Sequence, residues 1–162
     1  MKVIEKVNKI VGKGVSFLIV LIASVIGIEV IARYLFNRPT IWAQEFSTML
    51  FGAYIILGGA YTALHKGHVN MDVIYGRLSP LTKTILEIIG FLLLSGPFLF
   101  VLFWKGGEMA MRSLIRLEHS SSVWSPPLYP LKMTLPIGAF LFLLQILLNL
   151  FYETTQIKKR KM

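Results

Sequence analysis

Apolar residues along this chain gather in long unbroken runs. Residues 14–28, 46–64, 88–104 and 133–152 contain no Asp, Glu, Lys, Arg or His. With a few flanking positions each run reaches about 20 residues, enough to carry an α-helix across about 30 Å of hydrocarbon. No water in that layer can bond the backbone, so each crossing must satisfy its own N–H and C=O groups, as a helix does. The pattern predicts an all-α integral membrane fold: one domain over 1–162 with four transmembrane helices near 14–36, 42–64, 84–104 and 128–152.

The punctuation between the runs refines this picture. Residues 1–13 read as a short basic amphipathic lead-in. The first apolar stretch is longer than the core of a signal peptide, and no small-residue cleavage site follows it. Asn37 and Pro39 end the first helix, since the residue before proline is pushed out of the α region. The next helix follows within a few residues, which makes the two antiparallel neighbours. Ser95, Gly96 and Pro97 predict a kink in the third helix. Beyond Trp104 the sequence KGGEMAMRSLIRLEHSSS reads as a helix leaving the membrane, with Glu108, Arg112 and Arg116 at i, i+4 and i+8. A Pro-rich turn, SSSVWSPPLYPLK, then leads into the last helix.

Composition and charge set the topology. Hydrophobic residues make up 55% of the 162, the mean hydropathy is +0.67, and there is no cysteine, which excludes disulfides and thiolate metal sites. The formal net charge of +9 would suggest nucleic acid in a soluble protein, but the positions of the charges point to a membrane. With four crossings the two termini and the 65–83 loop share a side, and that side holds eleven Lys and Arg against six on the other. The positive-inside rule then places both termini in the cytoplasm, with the basic ends against lipid. No stacking platform or basic groove for nucleic acid is visible.

Candidate chemistry is sparse. Glu29 and Arg33 form the only acid–base pair deep in a helix, at i, i+4 with the acid first. An ionisable residue in a span is a functional candidate, here either a coupling acid or a structural and partner-facing pair. Glu45 stands at the start of the second helix, where an acid complements the helix dipole. Glu45, Thr48, Gly52, Gly59 and Ala63 share an arc of about 60°, a small-residue stripe for close packing against the first helix or another protein. Gln145 and Asn149, at i, i+4, read as amides bonding across helices. Arg38, Arg112, Arg116 and Glu118 fall on the non-cytoplasmic side, as a solvated face or a docking surface. Trp42, Trp124 and Tyr129 stand at interface level, where aromatic belts anchor spans. In HKGHVNMD, His65, His68 and Asp72 would share a helix face; a metal site is the rival to a helix end leading into a short interfacial segment bounded by Gly76 and Pro80. No nucleophile–base pattern, phosphate loop or H-E-x-x-H motif is present.

Three stretches together, ARYLFNRPTIWAQEFSTMLF, HKGHVNMDVIYGRLSP and SSVWSPPLYPLKMTLPIGAFLFLLQ, resemble the small, DctQ-like membrane subunit of tripartite ATP-independent periplasmic (TRAP) transporters over residues 15–150. Trp42 and Glu45 match the family's Trp and acid at the start of helix two, with Gln44 where a second acid is common. Lys66, Gly67, His68 and Asp72 match its basic–Gly–His–Asp segment. Leu135, Pro136 and Gly138 match the start of its last helix. The resemblance implies a non-catalytic subunit without cofactor in a bacterial inner membrane. A large multi-span subunit would carry organic acid (of sialic acid or dicarboxylate type) and sodium, and a soluble periplasmic binding protein would deliver the solute. Glu29, Arg33, Trp42, Glu45, Thr48, Gly52, Gly59, Ala63, His68 and Asp72 would then pack on the large subunit. Arg38, Arg112, Arg116 and Glu118 would meet the binding protein. The rival is a self-contained small transporter or channel using Glu29.

Overall fold

The computed structural model describes residues 2–65 and 79–161. Its elements are helices α1 (Lys2–Leu35), α2 (Ala43–Leu64), α3 (Pro80–Gly90), α4 (Gly96–Ile115) and α5 (Tyr129–Lys161), with a π-helical turn, Phe91–Ser95, joining α3 to α4. Four segments are long and apolar enough to cross a membrane: Ile4–Leu35, Ala43–Leu64, Thr82–Ile115 and Tyr129–Tyr152. Charged residues bracket them. Lys13 to Arg33, Glu45 to His65, Glu87 to Lys105 and Lys132 to Glu153 each cover about 30 Å at 1.5 Å per residue, the thickness of a hydrocarbon core.

Two helices run past the expected limits. The lead-in is not a separate segment, because α1 is helical from Lys2 and carries its four N-terminal lysines on the same helix. α5 reaches Lys161, while the third span continues through α4 to Ile115 as the charged face at Glu108, Arg112 and Arg116 predicts. In the third span the proline signal acts one turn early. Pro97 has no N–H to donate, and the chain widens just before it, so that the Gly96 N–H bonds the Phe91 carbonyl and Ser95 Oγ donates to the Gly90 carbonyl at 3.3 Å. The chain therefore accommodates the proline with a π-turn, not an open break.

The helices form a row, not a closed bundle. α1 packs on α2, α2 on α5, and α5 on α4; α1 touches α5 lightly, and the third span lies at the far end with the least buried surface. Small residues make these crossings close. Ala43, Ala60, Ala63, Ala110 and Ala139 are all at most 3% exposed. A Cβ on Gly138 would meet the Ile56 carbonyl oxygen at 2.6 Å, so α2 and α5 approach backbone to backbone there. Lipid tails are as apolar as leucine side chains, so dispersion at such contacts is what holds membrane helices together. Large apolar side chains point outward along the row, among them Phe17, Leu92, Leu93, Leu94, Phe98 and Trp104.

The 36–42 turn and the 116–128 connector lie at one end of the row, here the connector end. The chain termini lie at the other, the terminal end.

Candidate functional site

At the connector end, polar side chains are used to fasten turns. Glu29 is buried, and its carboxylate accepts from Arg33 Nε at 3.0 Å and Nη2 at 2.5 Å, from the Thr40 N–H at 3.1 Å and from the Thr40 hydroxyl. The i, i+4 spacing placed Arg33; Thr40 arrives only because the 36–42 turn folds back, with Asn37 at φ 52° and the Arg38 N–H bonded to the Ala32 carbonyl. Arg38 itself is exposed. With these donors the carboxylate ties the junction of α1 and α2 together.

Glu45 plays the same part for the long connector. Ser122 Oγ donates to one of its oxygens at 2.7 Å and Ser120 Oγ to the other at 3.5 Å, more than seventy residues away in sequence. The connector is itself tightly bonded. α4 ends with the Glu118 N–H on the Ser113 carbonyl and the Leu117 N–H on the Leu114 carbonyl, a Schellman pair that requires Leu117 at φ 47°. The Ser120 N–H bonds the Pro126 carbonyl and the Leu128 N–H the Glu118 carbonyl, closing a narrow loop. That loop delivers Trp124 to Trp42 and Phe46, with ring centroids 6.4 and 6.1 Å apart, while Trp42 and Phe46 meet edge to face. Two of the expected interface anchors thus also cap α2. Tyr129, the third, opens α5.

Beside this cap lies an open cavity of about 400 Å3 lined by Met109, Arg112, Ser113, Arg116, Glu118 and Lys132. Lys132 Nζ lies 2.5 Å from Glu118 Oε2, and Arg112 Nη1 lies 3.5 Å from Glu108. The Lys132 ammonium holds the Glu118 carboxyl below its ordinary value, and the Ser113 hydroxyl and nearby Arg116 charge act in the same direction. Arg112 and Arg116 are exposed, so the rim is cationic and accessible.

At the terminal end a chain of amides crosses three helices. Asn8 Nδ2 donates to Gln145 Oε1 at 2.8 Å, Gln145 Nε2 to Asn149 Oδ1 at 3.0 Å, and Asn149 Nδ2 to the Ala63 carbonyl at 2.9 Å. Asn8 and Gln145 are each 1% exposed. The two amides on α5 were legible from their spacing. Asn8 was missed because residues 1–13 read as a lead-in; its place with Gly12 and Val15 on one helical face was the available signal.

The small-residue stripe of α2 has a partner within the chain. Gly52 faces Leu131 and Gly59 faces the Phe142 ring, both on α5, and the Ala63 carbonyl takes the Asn149 amide. Thr48 is exposed and donates to the Gln44 carbonyl at 2.8 Å. His65 Nδ1 lies 3.0 Å from the Tyr61 carbonyl; His68 and Asp72 lie outside the described residues. Among the described residues no three His, Asp or Glu side chains gather where an ion could sit.

The architecture is thus a four-span row with a stapled cap and no catalytic constellation among the described residues. The family model for tripartite ATP-independent periplasmic transporters, DctQ component, matches residues 22–156. The chain belongs to the DctQ family. As a DctQ component it is the small subunit of a TRAP transporter and not an enzyme. Proteins of this family work in a tripartite system with a large membrane subunit and a periplasmic binding protein. The DctQ match covers the Glu29 lock, the Glu45 staple and the aromatic cap, and begins after the lysine-bearing start of α1. No curated protein matches the chain.

Proposed function

We propose that this DctQ subunit is a passive wall that widens and anchors the fixed part of a sodium-coupled organic acid transporter. Solute and sodium would move through the large subunit, and the connector end of this chain would face the periplasm to help seat the binding protein. The observation that carries the reading is the open row. A closed four-helix bundle hides its apolar surface; a row leaves two broad apolar faces, one for lipid and one for a large neighbour. A part that moves solute across the bilayer must push against a part that stays still, and interfacial Trp and Tyr with basic ends resist tilting.

The excess of lysine and arginine at the terminal end supports cytoplasmic termini in a bacterial inner membrane. The cationic rim at Arg112 and Arg116, next to a cap fixed by Glu45, supports docking, since complementary charge steers encounter and sets register. Arg38, exposed on the neighbouring turn, extends the same surface. For packing on the large subunit, the outward apolar face of the third span is the better support, because α5 already covers Gly52 and Gly59.

Uptake by the reconstituted complex tests this. R112E with R116E should raise the concentration of binding protein needed for half-maximal uptake by about tenfold, while the large subunit still co-purifies. Uptake indifferent to both reversals would remove the docking role. A large subunit that transports at full rate without this chain would remove the bracing role.

A further inference from the structure

The start of α1 carries a feature outside the scaffold role. The charge-free part of α1 begins after Lys13, so about 16 Å of continuous helix lies at or beyond the membrane boundary. This length is not free to turn. Asn8 is bonded to Gln145 in a fully buried pair, and Gly12 is seated directly against the Tyr61 ring. Those two contacts, with Val15, fix the face that looks into the protein.

Lys6, Lys9 and Lys13 follow at i, i+3 and i+7 on the outer side, Lys6 and Lys13 away from that face and Lys9 at its flank, all exposed. Farther along, the same side of the helix carries Phe17 and Val20, 68% and 56% exposed. A helix face that shows Phe and Val within a membrane span looks onto acyl chains. Its continuation past the boundary looks onto headgroups. α1 is the end helix of the row, so no other helix of the chain covers this side. Among the described residues no carboxylate forms an ion pair with the three lysines.

We propose that Lys6, Lys9 and Lys13 form a binding row for the phosphodiester groups of anionic phospholipid. Among the described residues Glu5, one turn before Lys9, is the only carboxylate near this row, and it makes no ion pair with it. A zwitterionic headgroup would bring a further ammonium to a face dominated by three; phosphatidylglycerol brings none. The buried Asn8–Gln145 bond makes the row a fixed site by setting its direction.

Native mass spectrometry of the full chain, equilibrated with equal phosphatidylglycerol and phosphatidylcholine, tests the assignment. The unaltered chain should retain phosphatidylglycerol preferentially, and K6Q/K9Q/K13Q should lose that preference by about fivefold per lysine. K6R/K9R/K13R should keep it, which separates charge from any effect on folding. Millimolar inorganic phosphate should leave the lipid adducts in place. The proposal is overturned if the glutamine variant keeps the original ratio, if the arginine variant loses it, or if free phosphate strips the lipid.

Discussion

Single residues decide how closely the helices approach. At Gly138 an added methyl would strike the Ile56 carbonyl oxygen, which is backbone and cannot rotate away. Gly138→Ala should therefore destabilise the chain by about 1–3 kcal/mol through overpacking. Gly90 has nothing within 4 Å of the same position, so Gly90→Ala should stabilise by up to about 1 kcal/mol through helix propensity. Melting curves of the two variants in one detergent check the opposite signs. Glu118 gives a pH-dependent case. Its carboxyl is held below the ordinary value of 4.5 chiefly by Lys132, so the tie contributes stability above that value and loses it as pH falls through the lowered one. The difference in melting temperature between the natural chain and Glu118→Gln should be full at pH 7 and shrink progressively as the pH is taken below 4.5. Polar contacts were legible in the sequence where they are local, as Glu29 and Arg33 are. The Thr40 and Ser122 contacts depend on turns whose course no spacing rule gives, since they need left-handed backbone at Asn37, Leu117 and Ser125, none of them glycine.

Elements were legible because lipid imposes one rule, an apolar run long enough to span, and all four runs became helices. Their ends were not. Charged residues stop a hydrophobic run without stopping a helix, so α1 includes the lysines before residue 14 and α5 runs on to Lys161, whereas α4 beyond Lys105 was legible from the spacing of Glu108, Arg112 and Arg116. Neighbour order was not legible either. Short connections paired α1 with α2, but the row α1–α2–α5–α4 rests on which small residues meet: Gly138 at Ile56 and Gly106 at Leu135. The amide chain through Asn8, Gln145 and Asn149 then ties three of these elements at one end. Gln145→Leu removes the middle link and leaves the buried Asn8 amide and the half-buried Asn149 amide each short of one partner. It should cost about 1–2 kcal/mol, more than an average membrane hydrogen bond, because two bonds are lost together. Thermal unfolding in detergent measures it; an Asn8→Leu variant as stable as the natural chain would show that the Asn8 end contributes nothing.

For the molecule as a whole, the placement of polar groups argues against a passage through this chain. Solute or ions crossing a bilayer need polar groups, or water, at successive depths. Here the buried polar ties cluster near the two ends, Glu29, Arg33 and Thr40 at one and Asn8, Gln145 and Asn149 at the other. Between them α1 offers Ile22 and Val25, and α2 meets α5 through Ile56, Gly59 and Phe142. Among the described residues the row also encloses no lumen, because α1 and the third span stand at its two ends. Glu29, the acid that a self-contained transporter would use, already accepts from Arg33 and Thr40 beside the connector-end turn. Liposomes containing this chain alone should therefore show no sodium-dependent uptake of organic acid. In the complete complex, Glu29→Gln should lower the melting temperature of the small subunit and leave uptake per assembled complex close to normal. Uptake by the isolated chain that disappears with Glu29→Gln would make this subunit a carrier rather than a wall.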